Sequence, residues 1–270
     1  MSSDQPVAFV TGAARGLGQA LAIEFTRRKH RVAILDCDAD GLKATAAAVR
    51  KVGGETLEHA GDLADLEFCE RAIRGTVAAW GRMDVLVNNA AWRELTTMRQ
   101  ITPESWERTL RVSLTAPAFL ARWAAEAMQQ QRRGVIINIS SIMSHMAGGT
   151  SPAYVAAKGA LDSLTYELAA LYGPVGIRVV AVNPGAIDTE MSRDYADLSG
   201  ASLTERIRAQ SEAMIMLGRW ADPAEVARAV ASIAGDDFSY LTGTSVVLDG
   251  GWSHQHSPLP LRRSQFPQDF

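Results

Sequence analysis

The sequence predicts an α/β fold, a single domain built on a doubly wound parallel sheet with helices on both faces. Three observations predict it. Short apolar runs alternate along the chain with longer stretches of helical spacing. The runs are continuously apolar rather than alternating, as expected for strands buried on both faces. The first run passes directly into a glycine-rich turn that opens a helix.

The elements follow in order. Val7–Val10 is the first strand, and Gln19–Arg28 has helical spacing. Val32–Leu35 is the second strand, ending at Asp36, and Ala39–Val52 is an Ala-rich helix closed by Gly53 and Gly54. Thr56–Ala60 is a weaker strand, Leu66–Ala79 a helix and Val85–Val87 a strand. Thr102 reads as an N-cap with Pro103 at the first helical position, starting a long helix towards Gln130. Strand Val135–Ile139, helix Ala153–Leu171 and strand Arg178–Val182 come next. Helical stretches near Leu203–Met216 and Ala224–Ala234 precede the last strand, Ser245–Leu248. No linker, repeat or composition break marks a second domain, so residues 1–252 are read as one unit. The tail, residues 253–270, holds three prolines, Arg262, Arg263, Phe266 and Phe270 without a period. It is either a disordered end or an arm packed on the domain or on a neighbouring subunit.

Composition narrows the function. The net charge is −3, with no basic excess of the kind that nucleic acid or an anionic membrane requires. Cys37 and Cys69 are too few for a disulfide scaffold or a cysteine-based zinc site, and they suit a reducing compartment. The first residues lack the basic-then-apolar pattern of a signal peptide, so a cytoplasmic location is expected. The span Gly134–Ala157 carries no Asp, Glu, Lys or Arg, but Asn138, Ser140, Gly148 and Pro152 argue against a membrane helix. No metal site is expected, because His254 and His256 have no partner at ligand spacing.

The turn after the first strand reads Thr11-Gly12-Ala-Ala-Arg15-Gly16-Leu17-Gly18. Glycines let the backbone turn tightly and approach a pyrophosphate, and the helix start supplies free N–H groups and partial positive charge. Asp36, at the end of the second strand, can accept hydrogen bonds from ribose hydroxyls and would repel a 2′-phosphate, which favours NAD. Arg15 pulls the other way, towards NADP. Asp36 is weighted more heavily, because repulsion at close range in a partly buried site outweighs a solvated guanidinium.

Tyr154 and Lys158 lie four apart on a helix, on one face. A phenol, with a reference pKa of about 10, is a poor base at neutral pH unless a neighbouring ammonium stabilises its anion. Ser141, just past the strand Val135–Ile139, could hydrogen-bond the same substrate oxygen.

Together with Asn88-Asn89-Ala90-Ala91, Ile139-Ser140-Ser141, Asn183-Pro184-Gly185 and Asp249-Gly250-Gly251, these motifs resemble the short-chain dehydrogenase/reductase family over about residues 6–252. The resemblance implies a Rossmann-type domain with a sheet of about seven strands, assembled as a homotetramer or dimer. It implies Tyr154 as general acid/base, Lys158 as the group that lowers its pKa and holds the nicotinamide ribose, and Ser141 as the group positioning the substrate oxygen. Asp62 and Leu63 would meet the adenine. Asn89, Ala90 and Ala91 would line the cofactor cleft. Pro184, Gly185, Ile187 and Thr189 would contact the nicotinamide end. The substrate lid would run from about 186 to 217.

Two positions depart from the family pattern. Ala91 stands where a glycine is usual. Ser113, in Val112-Ser113-Leu114, stands where a catalytic Asn normally holds a water of a proton relay through Lys158. Serine still donates and accepts, so the relay is expected to survive with a shifted water.

On the substrate side, Trp92, His145 and Met191 are expected to face the ligand, with Arg93, Glu94 and Tyr195 nearby. This mixed polar edge points to a small hydroxylated substrate such as a sugar or polyol. The leading reading is a dehydrogenase moving a hydride between NAD(H) and a small alcohol or carbonyl compound. Alternatives are an NADPH-dependent carbonyl or 3-oxoacyl thioester reductase, and a protein that binds NAD without turnover.

Overall fold

The computed structural model describes residues 5–193, 195–196 and 199–269. Its strands are β1 (Val7–Thr11), β2 (Arg31–Asp36), β3 (Thr56–Ala60), β4 (Val85–Asn88), β5 (Gly134–Ile139), β6 (Ile177–Pro184) and β7 (Thr244–Leu248). They form one parallel sheet in the order β3-β2-β1-β4-β5-β6-β7. The five inner strands are buried almost throughout, while β3 and β7, at the edges, are half-buried. The apolar runs therefore mark the inner strands, and weaker runs mark the edges.

Alternate side chains serve opposite faces. Ala8 and Val10 join Leu21 and Phe25 of α1 (Gly16–Arg27) and Val226 and Val230 of α8 (Pro223–Ala234). Phe9, Leu86 and Ile136 join Ile73 of α3 (Leu66–Trp80) and Leu120 of α5 (Ala116–Gln131). Local signals set the helix ends. Asp38 caps α2 (Ala39–Lys51), Asp65 caps α3 and Thr102 caps α4 (Pro103–Leu110), each accepting a backbone N–H. Arg178 donates to the carbonyls of Ile233, Ala234 and Gly235, which covers the C-terminal end of α8.

The long helix expected from Pro103 to Gln130 is divided. α4 stops at Leu110, a π-helical turn spans Arg111–Thr115, and α5 continues to Gln131. Pro117 supplies the reason. It has no N–H to give to the carbonyl of Ser113 four residues back, so the α ladder cannot run through. A wider turn takes over, with the Ala116 N–H reaching the Arg111 carbonyl.

The tail carries a short helix, α9 (Leu259–Gln265), which lies against α7 (Thr204–Met214). Among the described residues, no helix is long and apolar enough to cross a membrane. The uncharged span Gly134–Ala157 resolves into β5, a loop and the start of α6 (Pro152–Tyr172).

Strand order reverses between β1 and β4. β2 and β3 lie on one side of β1, and β4 to β7 on the other. The ends of β1 and β4 thus open a crevice, the expected ligand site of such a sheet.

Candidate active site

A cleft of about 640 Å³ lies over the C-terminal ends of the strands. The β1 turn forms its floor. Gly12 takes a φ of +64°, and a Cβ there would meet the Ala90 Cα at 2.8 Å. A Cβ on Gly18 would fall 1.9 Å from the Gly12 carbonyl oxygen. Only glycine fits this turn. Asn89 locks it to β4, its Nδ2 donating to the carbonyls of Thr11 at 2.9 Å and Gly12 at 3.1 Å. The Thr11 hydroxyl accepts from the N–H groups of Asn89 and Ala90. Arg15, the N-cap of α1, makes no side-chain cap bond, so no side chain from that position covers the helix start.

Asp36 is held at the tip of β2. One carboxylate oxygen accepts from Ala14 N–H and the other from Asp38 N–H, each at 3.0 Å. Each oxygen retains a lone-pair site for a ligand. Arg15 is paired with Glu190, at 2.8 Å. Asp62 accepts from Arg108 at 2.7 Å and from Ala64 N–H at 2.9 Å. Partial burial opposes its charge, but the bonds from Arg108 and Ala64 hold its carboxyl below the usual range. Arg108 also lies over the Trp92 ring, 5.3 Å from the centroid.

The chemical end is built from β5, β6 and α6. Ser141 follows β5 and its hydroxyl accepts from Met143 N–H. Tyr154 is buried, which pushes its phenol up. The positive charge of Arg93 and a hydrogen bond with Ser141 pull it down. Lys158 is 1% exposed, donates to the Ile139 carbonyl at 2.6 Å, and sits 5.4 Å from the Tyr154 ring centroid. Burial brings its pKa down to about 8, with Asp162 opposing. Arg93, across the cleft, is thus a second cation bearing on Tyr154 beside Lys158.

Asp162 was not anticipated. It stands four residues past Lys158 and accepts from Asn183 Nδ2 at 2.8 Å, while that group also donates to the Ser144 hydroxyl and the Ser141 carbonyl. The repeat Tyr154, Lys158, Asp162 along one helix face was the available signal.

Every residue expected at the cofactor lines this cleft, as do Ser141, Trp92 and Met191 on the substrate side. Two expected residues do not. His145 is exposed and bonds the Ser144 hydroxyl, and Met143 and Met146 on either side of it face inward. The short helical turn at Ile142–Ser144 sets this orientation. Ser113 is fully buried in the π turn, its hydroxyl accepting from Trp92 N–H at 3.0 Å and pointing its own proton at the Trp92 carbonyl at 3.3 Å. The Ser113 hydroxyl thus braces the Trp92 backbone, a role that the sequence did not suggest. Ile207, Trp220 and Trp252 complete the wall, and no local motif marks them.

A glycine cradle at the switch point, a fixed carboxylate at the tip of β2 and a Ser–Tyr–Lys group in one cleft fit a nicotinamide dinucleotide and define a nicotinamide-dependent oxidoreductase. A family profile described as enoyl-(acyl carrier protein) reductase matches residues 12–253. An L-rhamnose 1-dehydrogenase (NAD(P)+) of Azotobacter vinelandii is 35% identical over 247 residues, covering 90% of this chain and 94% of that protein. A cis-4-hydroxycyclohexanecarboxylate dehydrogenase of Sinomonas cyclohexanicum is 35% identical over 248 residues, 92% of this chain and 96% of that one. The crystal structure of a short-chain type dehydrogenase/reductase from Mycobacterium marinum superposes with a TM-score of 0.85 at 28% identity, covering 92% and 96% of the two chains. The chain belongs to the short-chain dehydrogenase/reductase family, and the named relatives above are dehydrogenases of alcohols.

Proposed function

We propose that this protein is an NAD(H)-dependent dehydrogenase of a small secondary alcohol of sugar or polyol size. The supporting observation is that Ser141, at the cleft wall, and the buried Tyr154 and Lys158 share one cleft with the glycine cradle. When bound, the nicotinamide supplies the hydride acceptor or donor. The chain's own groups handle the proton. Tyr154 Oη takes it from the substrate hydroxyl, or returns it to the carbonyl oxygen, while Ser141 Oγ holds that oxygen by a hydrogen bond. Lys158 steadies the ribose side and keeps positive charge near the phenol. Trp92 and the methionine-rich wall exclude water from the reacting carbon.

The preference for NAD rests on Asp36, which is fixed by two backbone N–H groups at the tip of β2, where this proposal puts the adenosine ribose. The Arg15–Glu190 pair supports it by occupying the competing cation. Both partners are about two-thirds exposed, at 67% and 69%, so the pair is weak and solvent-screened. NADP use remains the second reading on that account. Titration with NAD and NADP decides between them; tighter NADP binding overturns the assignment. Turnover of a sugar and alcohol panel, abolished by Tyr154→Phe, tests the reaction itself.

Residues 186–217 act as the substrate lid in this proposal, and the working form is a homo-oligomer in the cytoplasm. The outer faces of α5 and α6 expose Phe119, Tyr166 and Leu171, which supports association through those helices. A monomeric mass in solution would remove that part.

A further inference from the structure

Among the described residues four cationic side chains line the cleft, and only one of them meets nothing but neutral acceptors on the open side. Arg15 is paired with Glu190 and Arg108 with Asp62, while Lys158 is enclosed against the Ile139 carbonyl. Arg93 bonds the Met191 carbonyl at 2.6 Å and the Tyr195 hydroxyl at 3.4 Å, and its guanidinium sits 5.5 Å from the Tyr195 ring centroid. Its neighbour Glu94 is turned to the Ser105 hydroxyl. A guanidinium offers five N–H donors in a planar fork, so two bonds leave an edge of it unused. Among the described residues no carboxylate pairs with this guanidinium, so an incoming anion would supply its counter-charge. The charge is also placed for chemistry, since it reaches the Tyr154 phenol.

Trp92, Met143, Met146, Ile207, Trp220 and Trp252 give this end large apolar surfaces, with Thr150, Ser192 and Ser211 as neutral polar groups among them. Such walls suit an aliphatic or alicyclic body better than a ring of hydroxyls. A single planar fork matches a carboxylate, whose two oxygens it can meet side by side.

We infer that Arg93 anchors a carboxylate on the substrate, so that the alcohol oxidised at Tyr154 belongs to a small hydroxy acid with an aliphatic or alicyclic body. This rests on the proposed dehydrogenase reading and adds the charged group that the substrate must carry.

The test compares acids with their carboxamides, which match them in size and lack the charge. 3-Hydroxybutyrate and 4-hydroxycyclohexanecarboxylate are each assayed against their amides with NAD+, beside a sugar and polyol panel. The acid form is expected to exceed the amide in kcat/KM by about tenfold or more. Arg93→Gln should bring that ratio close to one, chiefly through KM of the acid, and Arg93→Lys should restore part of it. Removing Arg93 also raises the Tyr154 pKa, but this acts on both members of a pair and cancels in the ratio. A ratio near one in the unaltered enzyme, a ratio that survives Arg93→Gln, or turnover confined to sugars and polyols overturns the inference alone. In the second case Arg93 only pins the lid through Met191 and Tyr195. No turnover of any compound with NAD+ or NADP+ overturns the dehydrogenase reading itself.

Discussion

Ser113 grips both backbone polar groups of Trp92, accepting from its N–H and donating to its carbonyl. One hydroxyl thereby ties the π turn between α4 and α5 to the loop that follows β4. That loop carries Ala90, Ala91, Trp92 and Arg93, so its shape decides where the cofactor cleft ends and the substrate end begins. Trp92 itself is 45% exposed, and it holds its place through this brace and through Arg108 over its ring.

Removing the brace has a defined consequence. Ser113→Ala leaves two backbone groups without their partner in a buried setting, at a cost of about 1–3 kcal/mol. The thermal midpoint should fall accordingly. Because Trp92 and Arg93 then drift, KM should rise more than kcat falls. A variant with unchanged melting and unchanged KM would show that the brace does not position the loop.

The glycine turn predicts a more severe loss. In Gly18→Ala the new Cβ would lie 1.9 Å from the Gly12 carbonyl oxygen, and the obstacle is backbone rather than a movable side chain. The turn must open, which separates α1 from β1 and spoils the phosphate cradle. Isothermal titration should show NAD affinity lost by at least about tenfold, as the close backbone approach is what the cradle supplies. Gly53→Ala is the contrast in space, since nothing lies within 4 Å there, although its φ of +82° still strains the backbone. It should leave NAD affinity intact.

The cysteines give a test that needs no mutation. Cys37 is exposed and lines the cleft beside Asp36, yet partial burial and the neighbouring carboxylate push its thiol up. Cys69, on the inner face of α3, is buried, and its thiol is pushed up to about 12. Iodoacetamide should therefore label Cys37 slowly, faster as pH rises, and leave Cys69 intact in the folded protein. Saturating NAD should protect Cys37. Labelling indifferent to NAD, read by mass spectrometry, would place the adenosine elsewhere.

Two buried imidazoles predict how stability depends on pH. His59 stacks on Phe9, with ring centroids 5.7 Å apart, and meets the Thr76 hydroxyl at 2.9 Å; burial lowers its pKa from 6.5. His30 packs edge-on to Phe25, and burial lowers it too, with Asp84 opposing. The folded state keeps both neutral, while the unfolded chain binds protons as the pH falls through 6.5. The unfolded state thus holds more protons in that window, and stability must fall with falling pH. It levels off below the lowered folded values. Urea midpoints at pH 7.5 and 5.5 should show the drop, and His59→Phe should reduce its size.

The motifs that come together in one cleft are local ones. Gly12, Gly16 and Gly18 sit within seven residues, Tyr154 and Lys158 are one helical turn apart, and Ser141 and Asp36 close apolar runs. In each case, spacing along the chain is enough to put the groups on one face or at one strand end. Thr102 with Pro103 marked a helix start for the same reason. The break at Arg111–Thr115 was also written locally, in Pro117, but the apolar spacing on both sides concealed it.

Strand runs, helix caps and the spacing of the glycines, Tyr154 and Lys158 were enough to specify a doubly wound sheet and a nicotinamide site, because periodicity and turn chemistry act over a few residues. Folding settled the partners. Ser113 met Trp92 across 21 positions, and Arg93 came to face Tyr154 while its guanidinium bonded Met191 some 98 positions away. His145 turned outward where Met146 turned in. Contacts of that length depend on where the sheet and its loops bring distant segments together, and no window of sequence contains both ends.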